Sequence, residues 1–227
     1  MSMIAPRLSF AAPRLLPVTL LAGSLAAGIA YPLINGPAGI AITALVKGLA
    51  VGLLAAAATR LATPQRWWLA AIMAAGALGD VLLNIPGLFY AGAAAFALGH
   101  GTAILFYRRH RRVAGKAEHL AAVAILLWGA AMPALVSPAG TALAPLMVYS
   151  VLLCAMAAAL LLSRFPRLAL VGALLFILSD MLLIMRMGGH LVGDAQAHGL
   201  LVWFSYYLGQ LLIFLGVAAG LSKGTAR

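Results

Sequence analysis

The chain has 227 residues, of which 65% are apolar and only 8% charged, with a mean hydropathy of +1.08. A soluble domain carries about 45–50% apolar and about 25% charged residues, so a water-soluble globular fold is excluded and a polytopic, all-α membrane protein is indicated. The net charge of +11 does not mark a nucleic-acid binder, because the basic residues sit in short clusters between apolar runs rather than along helical faces with interleaved aromatics.

One crossing of a bilayer takes about 20 apolar residues at 1.5 Å each. Dividing the chain at Pro, Gly and basic clusters predicts eight transmembrane helices at 15–33, 37–59, 67–85, 88–107, 119–136, 139–162, 167–186 and 199–221, flanked by tails at 1–14 and 222–227. The first run follows Arg7 and Arg14 and could be read as a cleavable signal, but no polar mature domain follows it; a retained first helix is expected. The loops then alternate in charge. One side carries Arg7, Arg14, Arg60, Arg66, Arg108, Arg109, Arg111, Arg112, Lys116, Arg164, Arg167, Lys223 and Arg227. The other has the tight turns "NGPAG", "NIPG" and "SPAG" and the 187–198 loop, bordered only by Arg186. With Lys47 inside a span, these account for all 15 basic residues. The positive-inside rule places both termini in the cytoplasm, as in a multi-pass protein of a bacterial inner membrane. The single cysteine, Cys154, lies in an apolar run, where it reads as a small buried residue and leaves no intramolecular disulfide.

Ionisable groups at membrane depth are costly and are functional candidates. Four qualify: Lys47 in the second span, Asp80 in the third, His100 in the fourth and Asp180 in the seventh. Tyr149, Ser179, Tyr206, Tyr207 and Gln210 add hydrogen-bonding groups in spans six to eight. Counting residues from the span ends puts both aspartates about 9 Å below the outer surface, and Lys47, His100, Tyr149 and Gln210 about 15–18 Å below it. None falls in the cytoplasmic third, which predicts one pocket open toward the outer leaflet. The structural alternatives are that Asp80 merely pairs with Lys47, that His100 is an interhelical hydrogen-bonding residue, and that one of the adjacent Tyr206 and Tyr207 is packing.

The segments "LGDVLL" and "LSDMLL" place an Asp after a small residue at positions 80 and 180. "LGH" at 98–100 and "LGQ" at 208–210, and Lys47 and Tyr149, fall at similar offsets. This suggests two parallel halves of four spans related by an axis along the membrane normal, around a central pocket.

Two carboxyls in a dry pocket beside one lysine do not both stay charged; one holding a proton and one ionised form a general acid and base. The sequence has no Gly-x-Ser-x-Gly elbow, no evident Ser, His and Asp trio, and within the spans too few ligands for zinc. In the loop "GGHLVGDAQAHG", His190, Asp194 and His198 are spaced by four, but a solvated loop is the simpler reading. "ALGD" lacks the first Gly of the Gly-x-Gly-Asp signature of intramembrane aspartyl proteases. No metal and no cofactor are expected.

Lys47 with "LGDVLL", "FALGHGTAILFY", "GALLFILSDMLL" and "YYLGQLLI", in order across eight spans, resembles the YhhN family of lysoplasmalogenases. The chain departs from the family in its N-terminal extension through about Arg14 and in Gly48, where the family tends to have Pro. The resemblance implies hydrolysis of the vinyl ether bond of a lysoplasmalogen, with a lysophospholipid as substrate and membrane lipid as surroundings, and no nucleic acid. Asp80, Asp180 and Lys47 would then be catalytic. His100, Tyr149, Ser179, Tyr206, Tyr207 and Gln210 would bind substrate or water, and Arg186 would hold the phosphate at the outer mouth. The rival expectation is a proton-coupled small-solute or lipid transporter using the two aspartates as proton carriers. Against it, Pro32, Pro64, Pro86, Pro138 and Pro166 fall at span ends, and Pro133 and Pro145 near them, rather than breaking mid-span helices.

Overall fold

The computed structural model describes residues 12–34, 39–137, 140 and 142–224. The tails at 1–11 and 225–227, and most of the "NGPAG" and "SPAG" turns with Pro138, lie outside the described residues. Eight helices follow one another: α1 (Ala12–Ile34), α2 (Ile40–Ala58), α3 (Arg66–Leu83), α4 (Phe89–Arg109), α5 (Lys116–Val136), α6 (Leu143–Leu161), α7 (Arg167–Met187) and α8 (Ala195–Gly224). All eight are long and apolar enough to cross a membrane, and the described residues form no strand. The chain is therefore an all-α, multi-pass integral membrane protein.

Helix boundaries follow capping chemistry where they exceed the expected spans. α8 begins at Ala195, inside the segment read as loop, because Asp194 Oδ1 accepts the Ala197 N–H at 2.7 Å and so satisfies an otherwise orphaned donor of the first turn. α5 begins at Lys116 because the Glu118 carboxylate reaches back to the Gly115 N–H at 3.1 Å. The same carboxylate takes Arg112 at 2.5 and 2.8 Å and Arg167 at 2.9 Å. Arg112 also donates to the Ser163 carbonyl at 3.0 Å, and an isolated bridge pairs Arg111 with Ser163. The α4–α5 and α6–α7 connections are thus clamped together at the basic end. The basic residues there, counted in the sequence as topological charge, include two arginines, Arg112 and Arg167, that are structural ties.

Helices α2, α3, α4, α6, α7 and α8 touch in succession, and α8 returns to α2, closing a ring of six. α1 packs outside on α2 and α8, and α5 outside on α6 and α7. The neighbour relations repeat across the halves: α1–α2 corresponds to α5–α6, α3–α4 to α7–α8, and the contacts between halves, α4–α6 and α8–α2, correspond to each other. The tightest seam joins α7 and α8. A Cβ on Gly172 would stand 2.5 Å from the Gly209 carbonyl oxygen and 2.7 Å from Ile213 N, so only glycine permits this backbone approach.

Candidate functional site

A cavity of about 700 Å³ opens at the end of the ring opposite the basic clamp. Its lining comes from the C-terminal ends of α1, α3 and α7 and the N-terminal halves of α2, α4, α6 and α8. Those segments share one level because antiparallel neighbours bring ends and beginnings together. Lys47, Asp80, Tyr149, Ser179, Asp180, Arg186 and Tyr206 all face this cavity.

Asp80 is 1% exposed. Its Oδ1 lies 3.6 Å from Lys47 Nζ, and its Oδ2 accepts the Tyr206 hydroxyl at 2.6 Å. Gln210 Nε2 donates in turn to the Tyr206 oxygen at 3.2 Å. Lys47 is held from the other side by two rings that sequence reasoning missed: Nζ is 5.8 Å from the Tyr31 centroid and 6.0 Å from that of Trp203. Trp203 is fixed by donating Nε1–H to the Gly28 carbonyl at 2.7 Å. The available signal was the spacing of Trp203 and Tyr206, three apart and so on one helical face. Asp180 is also buried but has no ion pair among the described residues. The Tyr149 phenol lies between it and His100, with its hydroxyl 3.5 Å from His100 Nε2. Phe96, Phe176 and Tyr206 meet edge to face, with centroids 5.1–5.9 Å apart, and form the floor.

Three expected substrate-binding residues stand elsewhere. Tyr207 points away from the cavity toward α1, where its hydroxyl pairs with Ser24 Oγ at 2.9 Å and its ring stacks on Trp203. Adjacent helical residues diverge by about 100°, so of the tyrosine pair only Tyr206 reaches the site. His100 and Gln210 lie beneath the aromatic floor and do not line the main cavity. Ser179 does line it, but its hydroxyl donates to the Val202 carbonyl at 2.9 Å and ties α7 to α8. Arg186 sits exposed at the mouth, with no acidic partner among the described residues.

The 187–198 segment is not simply a solvated loop. His198 is fully buried: its Nδ1 accepts the Val192 N–H at 2.9 Å, so Nε2 carries the proton and donates to the Leu182 carbonyl at 2.8 Å. Nε2 ties the segment to α7 and Nδ1 closes the segment on itself at Val192, while His190 and Asp194 stay exposed.

Chemically, the site offers two carboxyls facing one largely apolar chamber, one of them compensated by a lysine and a phenol, with a free cation at the entrance. Searches of curated proteins and of solved structures found no match to the chain. A family model does match, over residues 42–217, a stretch that begins in α2, ends in α8 and contains every one of these charged groups. The chain belongs to the YhhN family.

Proposed function

We propose that the protein is a lysoplasmalogenase-type hydrolase that cleaves the vinyl ether bond of a 1-alkenyl-glycerophosphocholine or -ethanolamine to a fatty aldehyde and glycerophosphocholine or -ethanolamine. The observation that carries this reading is the pair of buried carboxyls, Asp80 and Asp180, facing one cavity of about 700 Å³. That volume lies within the usual 300–1,000 Å³ (roughly) of single-ligand sites, which suits one lipid chain with its glycerol. Arg186 at the mouth is placed to take the phosphate.

Lys47 and Tyr206 compensate negative charge on Asp80, whereas Asp180 has no cationic partner among the described residues. Asp180 is therefore assigned the proton and Asp80 the role of base. Asp180 delivers its proton to the β-carbon of the vinyl ether, and the π electrons form the new C–H bond, leaving an oxocarbenium ion. Water adds to the α-carbon as Asp80 takes one of its protons, giving a hemiacetal. In the collapse, Asp180 removes the hemiacetal hydroxyl proton, the C–O bond to glycerol breaks, and Asp80 protonates the departing oxygen. Both carboxyls return to their starting states. The pairing of an acid and a base around an oxocarbenium ion is the logic of sugar hydrolysis.

Purified protein in detergent, where a carrier has nothing to transport across, is expected to release aldehyde from lysoplasmalogen. Asp80→Asn and Asp180→Asn are each expected to lower kcat by at least about 100-fold while the helix content is retained. Near-native release by both variants would sink the mechanism. The charge asymmetry of the loops supports cytoplasmic termini in a bacterial inner membrane; a C-terminal reporter that is active only on the outer side would overturn that orientation if it gave signal.

A further inference from the structure

Beneath the floor of Phe96 and Phe176 lies a second cavity of about 20 Å³. Three polar side chains face it: His100 and Tyr107 from α4, and Gln210 from α8. Tyr107 is fully buried, and its hydroxyl has no hydrogen-bond partner among the described residues. A dry orphan hydroxyl is costly. Helical side chains lean toward the N-terminus, so the Tyr107 hydroxyl is carried back toward His100, two turns earlier on the same face. Gln210 gives one Nε2 proton to Tyr206 at 3.2 Å and retains its Oε1. His100 meets Tyr149 through Nε2 and retains its other ring nitrogen. A water needs about 10–15 Å³ of such space and about three polar partners; the cavity has that room, and three polar side chains are in its lining.

We propose that the cavity between His100, Tyr107 and Gln210 is a built water site, and that its water joins these three side chains into one support for the tyrosines beside the two carboxyls. The water accepts the Tyr107 proton and donates to Gln210 Oε1 and to His100 Nδ1. His100 then carries its proton on Nε2, facing Tyr149. Gln210 is locked in the orientation that donates to Tyr206, and Tyr206 in the one that donates to Asp80. Gly76 leaves the room for this: a Cβ there would stand 2.9 Å from Gln210 Nε2. Tyr107 touches no substrate and is a positioning residue, acting through Gln210 and Tyr206. Its effect on catalysis rests on the hydrolase reading, whereas the water site does not.

The test is Tyr107→Phe in the full chain, alone and combined with Gln210→Leu. Thermal unfolding in detergent is expected to show Tyr107→Phe lowering Tm by about 2–4 °C, the shift that losing one hydrogen bond gives in a chain of this size, with losses that do not add in the double variant. A Tm that is unchanged or raised by Tyr107→Phe overturns the water site, since removing a dry, unpartnered hydroxyl carries no loss. In the aldehyde assay, Tyr107→Phe is expected to lower kcat severalfold at unchanged KM; an unchanged kcat overturns the positioning role. If the unsubstituted protein releases no aldehyde, the hydrolase reading fails, while the stability cycle still decides the water site.

Discussion

Replacing Lys47 by Met leaves the Asp80 carboxyl, 1% exposed, without its cation. At the observed 3.6 Å, a pair of unit charges attracts by about 5 kcal/mol at an effective dielectric near 20. The desolvation of both groups offsets much of that when the pair forms, so the intact pair adds little net stability. Removing one partner is different: the remaining charge keeps its desolvation penalty and loses its compensation, which costs about 3–5 kcal/mol. Met keeps an unbranched apolar stem at this position, so the loss isolates the charge. Asp80→Asn is expected to cost less, because the Lys47 side chain is 16% exposed and its ammonium retains both rings. The double variant Lys47→Met/Asp80→Asn should recover most of the stability lost in Lys47→Met. The assay is a double-mutant cycle on thermal unfolding in detergent, read beside kcat for aldehyde release, which both single variants should abolish. Additive losses, or a Lys47→Met loss below about 0.5 kcal/mol, would refute the reasoning: the ion pair would then be a surface-like contact and not the electrostatic frame of the base.

Gly172→Ala should destabilise by about 1–3 kcal/mol through overpacking, because its Cβ meets the backbone of Gly209 and Ile213; Gly101→Ala, whose Cβ meets nothing within 4 Å, is the matched control and should be neutral or stabilising in thermal melts. Arg186→Ala, at the mouth and away from the carboxyls, should raise KM about tenfold or more with kcat little changed; the opposite split in steady-state kinetics would remove the phosphate role. His110, outside the spans, has its imidazole held below the usual histidine range, first by burial and then by the nearby Arg164 and Arg109, against the opposing hydrogen bond from Nδ1 to the Phe106 carbonyl at 2.9 Å. A depressed value favours the neutral ring in the folded state, so its stability contribution is full above about pH 6.5 and declines as pH falls below that. Tm measured from pH 7.5 downward should drop below about 6.5, and His110→Asn should flatten that part of the curve.

How much of this was legible in the chain follows from what each signal encodes. The eight crossings were legible because lipid excludes unpaired backbone, so each crossing must be a run of about 20 apolar residues. That Lys47, Asp80, Tyr149 and Asp180 meet at one end of the bundle was legible because a fixed rise of 1.5 Å turns residue number into position along each helix. The direction in which each side chain points was not. In a soluble helix the apolar stripe reveals the inward face, but here the lipid-facing and core-facing sides are both apolar. Tyr206 and Tyr207 therefore looked equivalent, and His100 and Gln210 looked like pocket residues although they lie beneath its floor. The aromatic cradle of Lys47 was hidden for a related reason. Tyr31 and Trp203 are 172 positions apart, and α1, which supplies Tyr31, lies outside the family's matched segment.

The basic end and the 187–198 segment make the same point with polar groups. Arg112 and Glu118 are close in sequence, yet the clamp they form depends on the Ser163 carbonyl, 51 positions from Arg112, and on Arg167, 49 positions from Glu118. His198 was placed in a loop by composition, and its burial rests on carbonyl and amide partners at Leu182 and Val192 that no local pattern announces. The sequence by itself determined class and crossing number, because transfer into lipid depends on composition and length alone. Only the tertiary structure decided the rotation of each helix, and with it which hydroxyls reach the carboxyls, since that rotation is set by close packing between helices and leaves almost no trace in a chain apolar on every side.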